Sequence, residues 1–327
     1  MNPGIPVIVV SESVFHKAED VFTSATRFQC VMAPDDEEGL VRAIRESGAV
    51  HAILGHRKYE DALYAAFPRG RVLARFGVGH DGLDKVKATR AGLLCTNTPG
   101  TLDDSVAELA MVLIGAAARH LVAHADAMRQ GEWRPILGTE LRGRTLAIVG
   151  CGRIGSTLAR IAGAGFGMRV VGYTRASRLA HEPAHYAELT PDFARAVGEA
   201  DFVSLHIAAT PENARFIDAG RLAMMPPRAW LVNTARGAVV DETALYDALQ
   251  SRRIAGAALD VFDREPYEAV DAAHDLRTLS NVILAPHIGS NTPDANRRMA
   301  EAALRNVALG AEGRFAEMNL LNPEVLG

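Results

Sequence analysis

Three polar residues stand where the chain leaves short β-rich runs: Arg236 in Asn233-Thr234-Ala235-Arg236-Gly237, Glu265 in Asp263-Arg264-Glu265-Pro266, and His287 in Pro286-His287-Ile288-Gly289. A guanidinium can fork onto two neighbouring oxygens, an imidazole exchanges its proton near neutral pH, and a carboxylate beside an imidazole favours the charged ring. Spacing alone does not bring the three together. A fourth feature is the loop Gly150-Cys151-Gly152-Arg153-Ile154-Gly155, which follows the apolar run 146–149 and enters the helical stretch 156–162. Gly150 would permit a tight turn, Gly152 would let the backbone approach a pyrophosphate, and Gly155 would let helix and strand pack closely. The helix start then turns unpaired N–H groups towards the phosphates. Cys151 reads as a small packing residue.

Two histidine patterns carry less. His181-Glu182-Pro183-Ala184-His185 has the spacing of a zinc hydrolase, but that chemistry needs both imidazoles on one helical face and Pro183 breaks the helix. His120 and His124 share the spacing without a third ligand. No metal is expected.

The elements that must position these residues alternate along the chain. Apolar runs at 7–10, 52–54, 72–74, 146–149, 170–173, 202–205, 230–232, 257–259 and 282–284 are separated by helical patterns. Parallel strands need crossovers, so this alternation implies an α/β fold with a mainly parallel sheet. Ligands of such sheets sit beyond the carboxyl ends of the strands, where Arg236, Glu265 and His287 all fall. Thr98-Pro99-Gly100 interrupts the pattern before Asp103 or Asp104, either of which could cap the long helix that follows. Residues 290–293 make a second break, before a helix ending near Gly310.

The 327 residues are about twice a typical domain, and the composition, 48% hydrophobic and 23% charged, suits a globular protein with two cores. A net charge of -4 leaves no broad basic surface for nucleic acid or anionic lipid. Cys30, Cys95 and Cys151 are scattered and odd in number, which points to a reducing compartment and a cytoplasmic protein. The longest apolar run, 106–118, contains Glu108 and is too short to span a bilayer.

After the run 170–173 a site for NAD would place a carboxylate against the ribose hydroxyls. The chain instead reads Tyr173-Thr174-Arg175-Ala176-Ser177-Arg178, whose hydroxyls and arginines suit a 2′-phosphate, so NADP is favoured over NAD.

From Val72 to Ser290 the chain resembles the D-isomer-specific 2-hydroxyacid dehydrogenases. The matching motifs are Arg75-Phe76-Gly77-Val78-Gly79-His80-Asp81, Asn97-Thr98-Pro99, Ser105-Val106-Ala107-Glu108, the glycine loop, Asn233 to Gly237, Ala258-Leu259-Asp260-Val261-Phe262, Glu265-Pro266 and Pro286-His287-Ile288-Gly289. The resemblance implies two doubly wound domains: a Rossmann cofactor domain, residues 99–292, inserted into a smaller flavodoxin-like substrate domain of residues 1–98 and 293–327. It also implies a homodimer, formed here by the helix from Asp104 and the arm 131–141.

By the same resemblance, Arg236, Glu265 and His287 form the catalytic set: Arg236 binds the substrate carboxylate and carbonyl, His287 donates the proton, and Glu265 orients His287. Each role is chemically reasonable, because a guanidinium fits the adjacent oxygens of a 2-keto acid and imidazole can protonate the alkoxide that forms. Val78 and Gly79 would cradle the carboxylate through their N–H groups, with Arg75 as a further substrate residue or a structural donor. Arg153 and Ile154 would lie on the pyrophosphate, and Thr174 and Arg175 at the adenosine ribose. His206, Ala208 and Pro211 would line the adenosine side, Thr234 and Ala235 the nicotinamide ribose, and Asp260 and Gly289 the nicotinamide end. The implied activity interconverts a small D-2-hydroxy acid and its 2-keto acid. Arg75 with His56 and Arg57 resembles the phosphoglycerate branch, whereas the cofactor pocket resembles the glyoxylate and hydroxypyruvate reductases, which leaves the acid open. The rival reading is a dinucleotide-sensing, corepressor-like scaffold without significant turnover.

Overall fold

Short apolar runs separated by helical crossovers pair in parallel, and the structure, a computed structural model describing residues 5–176 and 185–327, contains two such sheets. Ser177, Arg178 and the segment His181-Glu182-Pro183-Ala184 lie outside the described residues. The chain divides into one unit of residues 1–102 with 291–327 and a second of residues 103–290. Residues 99–102 go with the first unit because Thr98 pairs with the main chain of Gly77 and the Thr101 hydroxyl donates to the Thr98 carbonyl.

The first unit holds β1 (Val7–Ser11), β2 (Gln29–Ala33), β3 (His51–Leu54), β4 (Val72–Arg75) and β5 (Leu94–Thr96) in the order β2-β1-β3-β4-β5. This is the flavodoxin-like order, and all its pairings are parallel. The final helix, Pro293–Ala311, starts with a Thr292 cap on the Ala295 N–H. It packs on this sheet so closely that a Cβ on Gly310 would lie 2.4 Å from Val72 Cγ2. Asn322 then closes the β5 edge, accepting the Cys95 N–H at 2.8 Å and donating to the Leu93 carbonyl at 2.9 Å.

The second unit holds β6 (Thr145–Val149), β7 (Arg169–Tyr173), β8 (Glu188–Thr190), β9 (Phe202–Leu205), β10 (Trp230–Asn233), β11 (Gly256–Leu259) and β12 (Val282–Leu284), in the order β12-β11-β10-β9-β6-β7-β8. Alternate residues of β6 serve opposite faces. Leu146 and Ile148 pack with Ile114 and Leu158, while Ala147 and Val149 pack with Val203 and Leu231. Burying each large apolar side chain contributes about 1.5–3 kcal/mol, so the strand is fixed from both sides. The order reverses at β6, with β7 on one side and β9 on the other. That reversal opens the ligand crevice of a doubly wound sheet.

Three strands are absent from the sequence pattern: β2, β5 and β8. All are sheet edges, two of them largely half-exposed and two only three residues long; β2 and β5 do carry the short apolar runs Cys30-Val31-Met32-Ala33 and Leu93-Leu94-Cys95, which the pattern passed over. The expected cap of the long helix also differs. Asp103 and Asp104 both lie in the first turn of the helix Asp103–Ala118, where they favour its positive end. The helix Lys85–Ala91 is capped by Asp84, whose carboxylate accepts the Val86 and Lys87 N–H groups at 3.0 Å each. Among the described residues no single helix is long and apolar enough to cross a membrane.

Candidate active site

The glycine loop leaves β6 at the point of reversal. Gly150 has φ +99°, a conformation that side chains oppose, and a Cβ there would lie 2.6 Å from the His206 carbonyl oxygen. Gly155 sits on the first turns of the helix Arg153–Arg160, where a Cβ would be 2.3 Å from the Gly150 carbonyl oxygen. Gly152, at the helix N-cap, has open space where its Cβ would be. A tight turn, a close helix–strand contact and an open cradle at a helix start together fit a pyrophosphate. Arg153 departs from its expected partner: its Nε donates to the Asp103 carboxylate at 2.7 Å, so a phosphate would have to compete for that guanidinium.

The loops beside it come from β7 and β9. Thr174 is buried and Arg175 exposed just after β7. His206 follows β9 and meets the Ser204 hydroxyl through Nε2 at 2.9 Å; burial pushes its imidazole down to about 4. The Ala208 carbonyl accepts from Thr210 N–H and Asn213 Nδ2, fixing the turn that begins the short helix Pro211–Asn213. Thr234, after β10, has a buried hydroxyl oxygen with no hydrogen-bond partner among the described residues, an arrangement that a ligand hydroxyl could satisfy.

Arg236, Glu265 and His287 follow β10, β11 and β12, three neighbouring strands. Asn233 shapes the Arg236 segment: its Oδ1 accepts the Ala235 N–H at 3.0 Å and its Nδ2 donates to the Arg236 carbonyl at 2.9 Å. A Cβ on Gly237 would lie 1.8 Å from the Phe262 carbonyl carbon, so this segment rests directly on the loop that carries Glu265. In that loop the Phe262 N–H donates to Glu265 Oε1 at 3.0 Å, and the other oxygen, Oε2, is 2.6 Å from His287 Nδ1. The expected carboxylate–imidazole pair is therefore in place.

His287 is in the left-handed region, φ 53°, which costs a non-glycine residue about 1–2 kcal/mol. Asp260 holds it there. The His287 N–H donates to the Asp260 carbonyl, and the Ile288 and Gly289 N–H groups donate to its two carboxylate oxygens, each at 2.8 Å. Burial, first among its causes, pushes the Asp260 carboxyl up, while these N–H donors pull it down. The Ser105 hydroxyl, on the helix Asp103–Ala118, donates to the Gly289 carbonyl at 2.7 Å and completes the brace.

In the first unit, Arg75 ends β4. Its Nε donates to the Gly79 carbonyl at 2.8 Å, and Nη1 donates to the carbonyls of Leu54 and Phe76. Asn97 Nδ2 reaches the Val78 carbonyl at 2.8 Å, and the Thr98 hydroxyl accepts the Gly77 N–H. Arg75 thus shapes the Phe76–Gly79 loop, the structural alternative of the sequence reading, and Val78 and Gly79 lie within that frame. Sequence reasoning gave no roles to Asn233 and Ser105; an asparagine closing a strand before a tight segment was the available signal for the first.

A parallel sheet that reverses beside a glycine loop and a helix start defines a dinucleotide-binding fold, and the imidazole–carboxylate pair adds acid–base chemistry. Residues 111–289 match the family profile described as D-isomer specific 2-hydroxyacid dehydrogenase, NAD binding domain. The glyoxylate reductase of Thermococcus litoralis is 41% identical over 296 residues, covering 88% of this chain and 87% of that protein. The glyoxylate reductase of Aeropyrum pernix is 39% identical over 335 residues, covering 98% and 97%. Among solved structures, the NADPH-dependent glyoxylate/hydroxypyruvate reductase of Sinorhizobium meliloti, in complex with NADP and malonate, is 30% identical, with a TM-score of 0.79 over 93% of each chain. The chain belongs to the D-isomer specific 2-hydroxyacid dehydrogenase family. It is an NAD(P)-dependent oxidoreductase acting on 2-hydroxy and 2-keto acids.

Proposed function

We propose that the protein reduces a small 2-keto acid, of the glyoxylate or hydroxypyruvate type, to the D-2-hydroxy acid, with NADPH as the preferred reductant. The observation that carries this reading is the 2.6 Å contact between Glu265 Oε2 and His287 Nδ1 on strand ends next to the Arg236 segment. With Nδ1–H given to Glu265, Nε2 is the nitrogen left to protonate the substrate oxygen. Arg236 binds the carboxylate and the carbonyl oxygen, fixing the carbonyl face and drawing charge towards the oxygen. Gly150, Gly152, Ile154 and Gly155 hold the pyrophosphate with Arg153, while His206, Ala208 and Pro211 line the adenosine. Thr234, Ala235, Asp260 and Gly289 border the nicotinamide end. The reduced nicotinamide supplies the hydride for the carbonyl carbon.

NADPH is favoured because Arg175 follows β7 with no carboxylate among residues 173–176. The S. meliloti relative, described as NADPH-dependent, supports the same choice. The protein is a homodimer: Val112 on the helix Asp103–Ala118 is 64% exposed, and Trp133 and Leu137 on the arm are 85% and 94% exposed. Large apolar side chains left in water at those levels favour burial against a second copy. Cys30 and Cys95 carry free thiols, which suits a reducing, cytoplasmic setting.

Steady-state kinetics with NADH and NADPH against a panel of 2-keto acids tests the reading. Turnover of glyoxylate or hydroxypyruvate with NADPH supports it; tight cofactor binding without turnover on any acid would leave the scaffold reading instead.

A further inference from the structure

A second carboxyl group grips the Glu265 loop. Glu242 opens the helix Glu242–Gln250 and is 8% exposed. Its Oε1 accepts the Asp263 N–H at 2.7 Å. The preceding amide, Phe262 N–H, goes to Glu265 Oε1, and Glu265 Oε2 faces His287. Two successive amides of one loop are thus each taken by a different carboxyl, and one of those carboxyls holds the imidazole. The helix does not need Glu242 as a cap, because Asp241 already accepts the Ala244 N–H at 3.1 Å. Burying a carboxyl is costly, so its placement against a single loop amide calls for a reason. Glu242 also lies five positions beyond Gly237, whose backbone rests on the same Phe262–Asp263 peptide.

We infer that Glu242 is a positioning residue for the acid–base pair: by fixing the Phe262–Asp263 peptide it sets where Glu265 presents its carboxylate to His287, and it keeps that loop seated on the Arg236 segment. The roles of Glu265 and His287 in this inference rest on the function proposed above. Burial, first among its causes, pushes the Glu242 carboxyl up; the Asp263 and Glu265 charges add to this and the Asp263 N–H opposes it. Tyr267 also feels the Glu242 charge. A neutral carboxyl or amide can accept the Asp263 N–H as the carboxylate does, which makes glutamine the conservative replacement.

The test compares Glu242→Ala with Glu242→Gln in the full chain. The readouts are kcat with glyoxylate and NADPH, the KM for NADPH, and the proton resonance of His287 Nδ1–H without substrate. Glu242→Ala should lower kcat about 10-fold through misplacement of the pair, leave the NADPH KM within about twofold, and shift the resonance. Glu242→Gln should restore kcat to within about threefold and return the resonance to its wild-type position. Equal losses in the two variants, or an unshifted resonance in Glu242→Ala, would overturn the inference. Should Glu242→Ala not fold, Glu242→Asp, one methylene too short for the Asp263 N–H, replaces it with the same expected results. Wild-type protein that reduces no 2-keto acid would defeat the proposed function alone, because the resonance reads the Glu242 contact without turnover.

Discussion

Gly237→Ala is the sharpest perturbation of the site that touches none of the proposed reacting groups. The added Cβ would lie 1.8 Å from the Phe262 carbonyl carbon, 2.1 Å from its oxygen and 2.2 Å from the Asp263 nitrogen. All three are backbone atoms, so no side chain can swing aside. Ordinary contact begins near 3.4 Å, and 3.4 minus 1.8 leaves a separation of about 1.6 Å for the two loops to absorb. That movement pulls the Arg236 segment off the loop holding Glu265 and, through it, His287. A misplacement of about 1 Å can cost on the order of 10²-fold in rate, so kcat/KM for glyoxylate should fall at least that far. Overpacking should also cost about 1–3 kcal/mol of stability. NADPH affinity, which the proposed site draws mostly from the loops after β6, β7 and β9 and only in part from Thr234 and Ala235 on the displaced segment, should fall less than kcat/KM. The assay is steady-state kinetics with a parallel NADPH titration. A kcat/KM within about threefold of wild type would refute the claim that this backbone contact aligns the site.

Other outcomes follow from the same geometry. Arg175→Ala should raise the KM for NADPH about 10-fold or more and leave NADH nearly unchanged, the size of a lost charge-assisted contact; equal losses would return Arg175 to the solvent. Asp103→Asn should release Arg153 for the phosphates. Because that pair is exposed on the arginine side, the gain is limited to about 0.2–1 kcal/mol, or a KM for the cofactor up to about fivefold lower; a higher KM would contradict it. His51 is 1% exposed, accepts the Val72 N–H through Nδ1 at 3.0 Å, and is pushed down to about 4 by burial, with Arg71 adding to the effect. The folded protein therefore resists a proton that the unfolded chain takes up near 6.5. Stability should be full above that pH and fall towards pH 4, by roughly 3 kcal/mol from this group. His51→Gln should flatten that fall, and a wild-type Tm constant from pH 6.5 to 4.5 would refute it.

Much of this organisation was legible in the chain. The interior strands carry short, mainly apolar runs because both faces are buried, and the glycine loop declares itself because the turn at Gly150 and the packing at Gly155 each exclude a side chain while Gly152 leaves open space at a fixed spacing between them. Family motifs, not spacing, paired Glu265 with His287. What stayed hidden depends on tertiary partners. The edge strands β2, β5 and β8 borrow their order from neighbours. Arg75 spends its donors on carbonyls of two loops, Arg153 is taken by Asp103, and Glu242 meets an amide 21 positions away. Nothing local to those residues reveals such contacts.

The most direct measurement follows hydroxypyruvate reduction with NADPH by the wild-type protein and by His287→Ala, reading cofactor oxidation together with the configuration of the glycerate formed. The account requires D-glycerate in step with NADPH consumed, and a variant at least about 10²-fold slower whose NADPH affinity is retained. An L product, or a His287→Ala protein turning over at the wild-type rate, would contradict it.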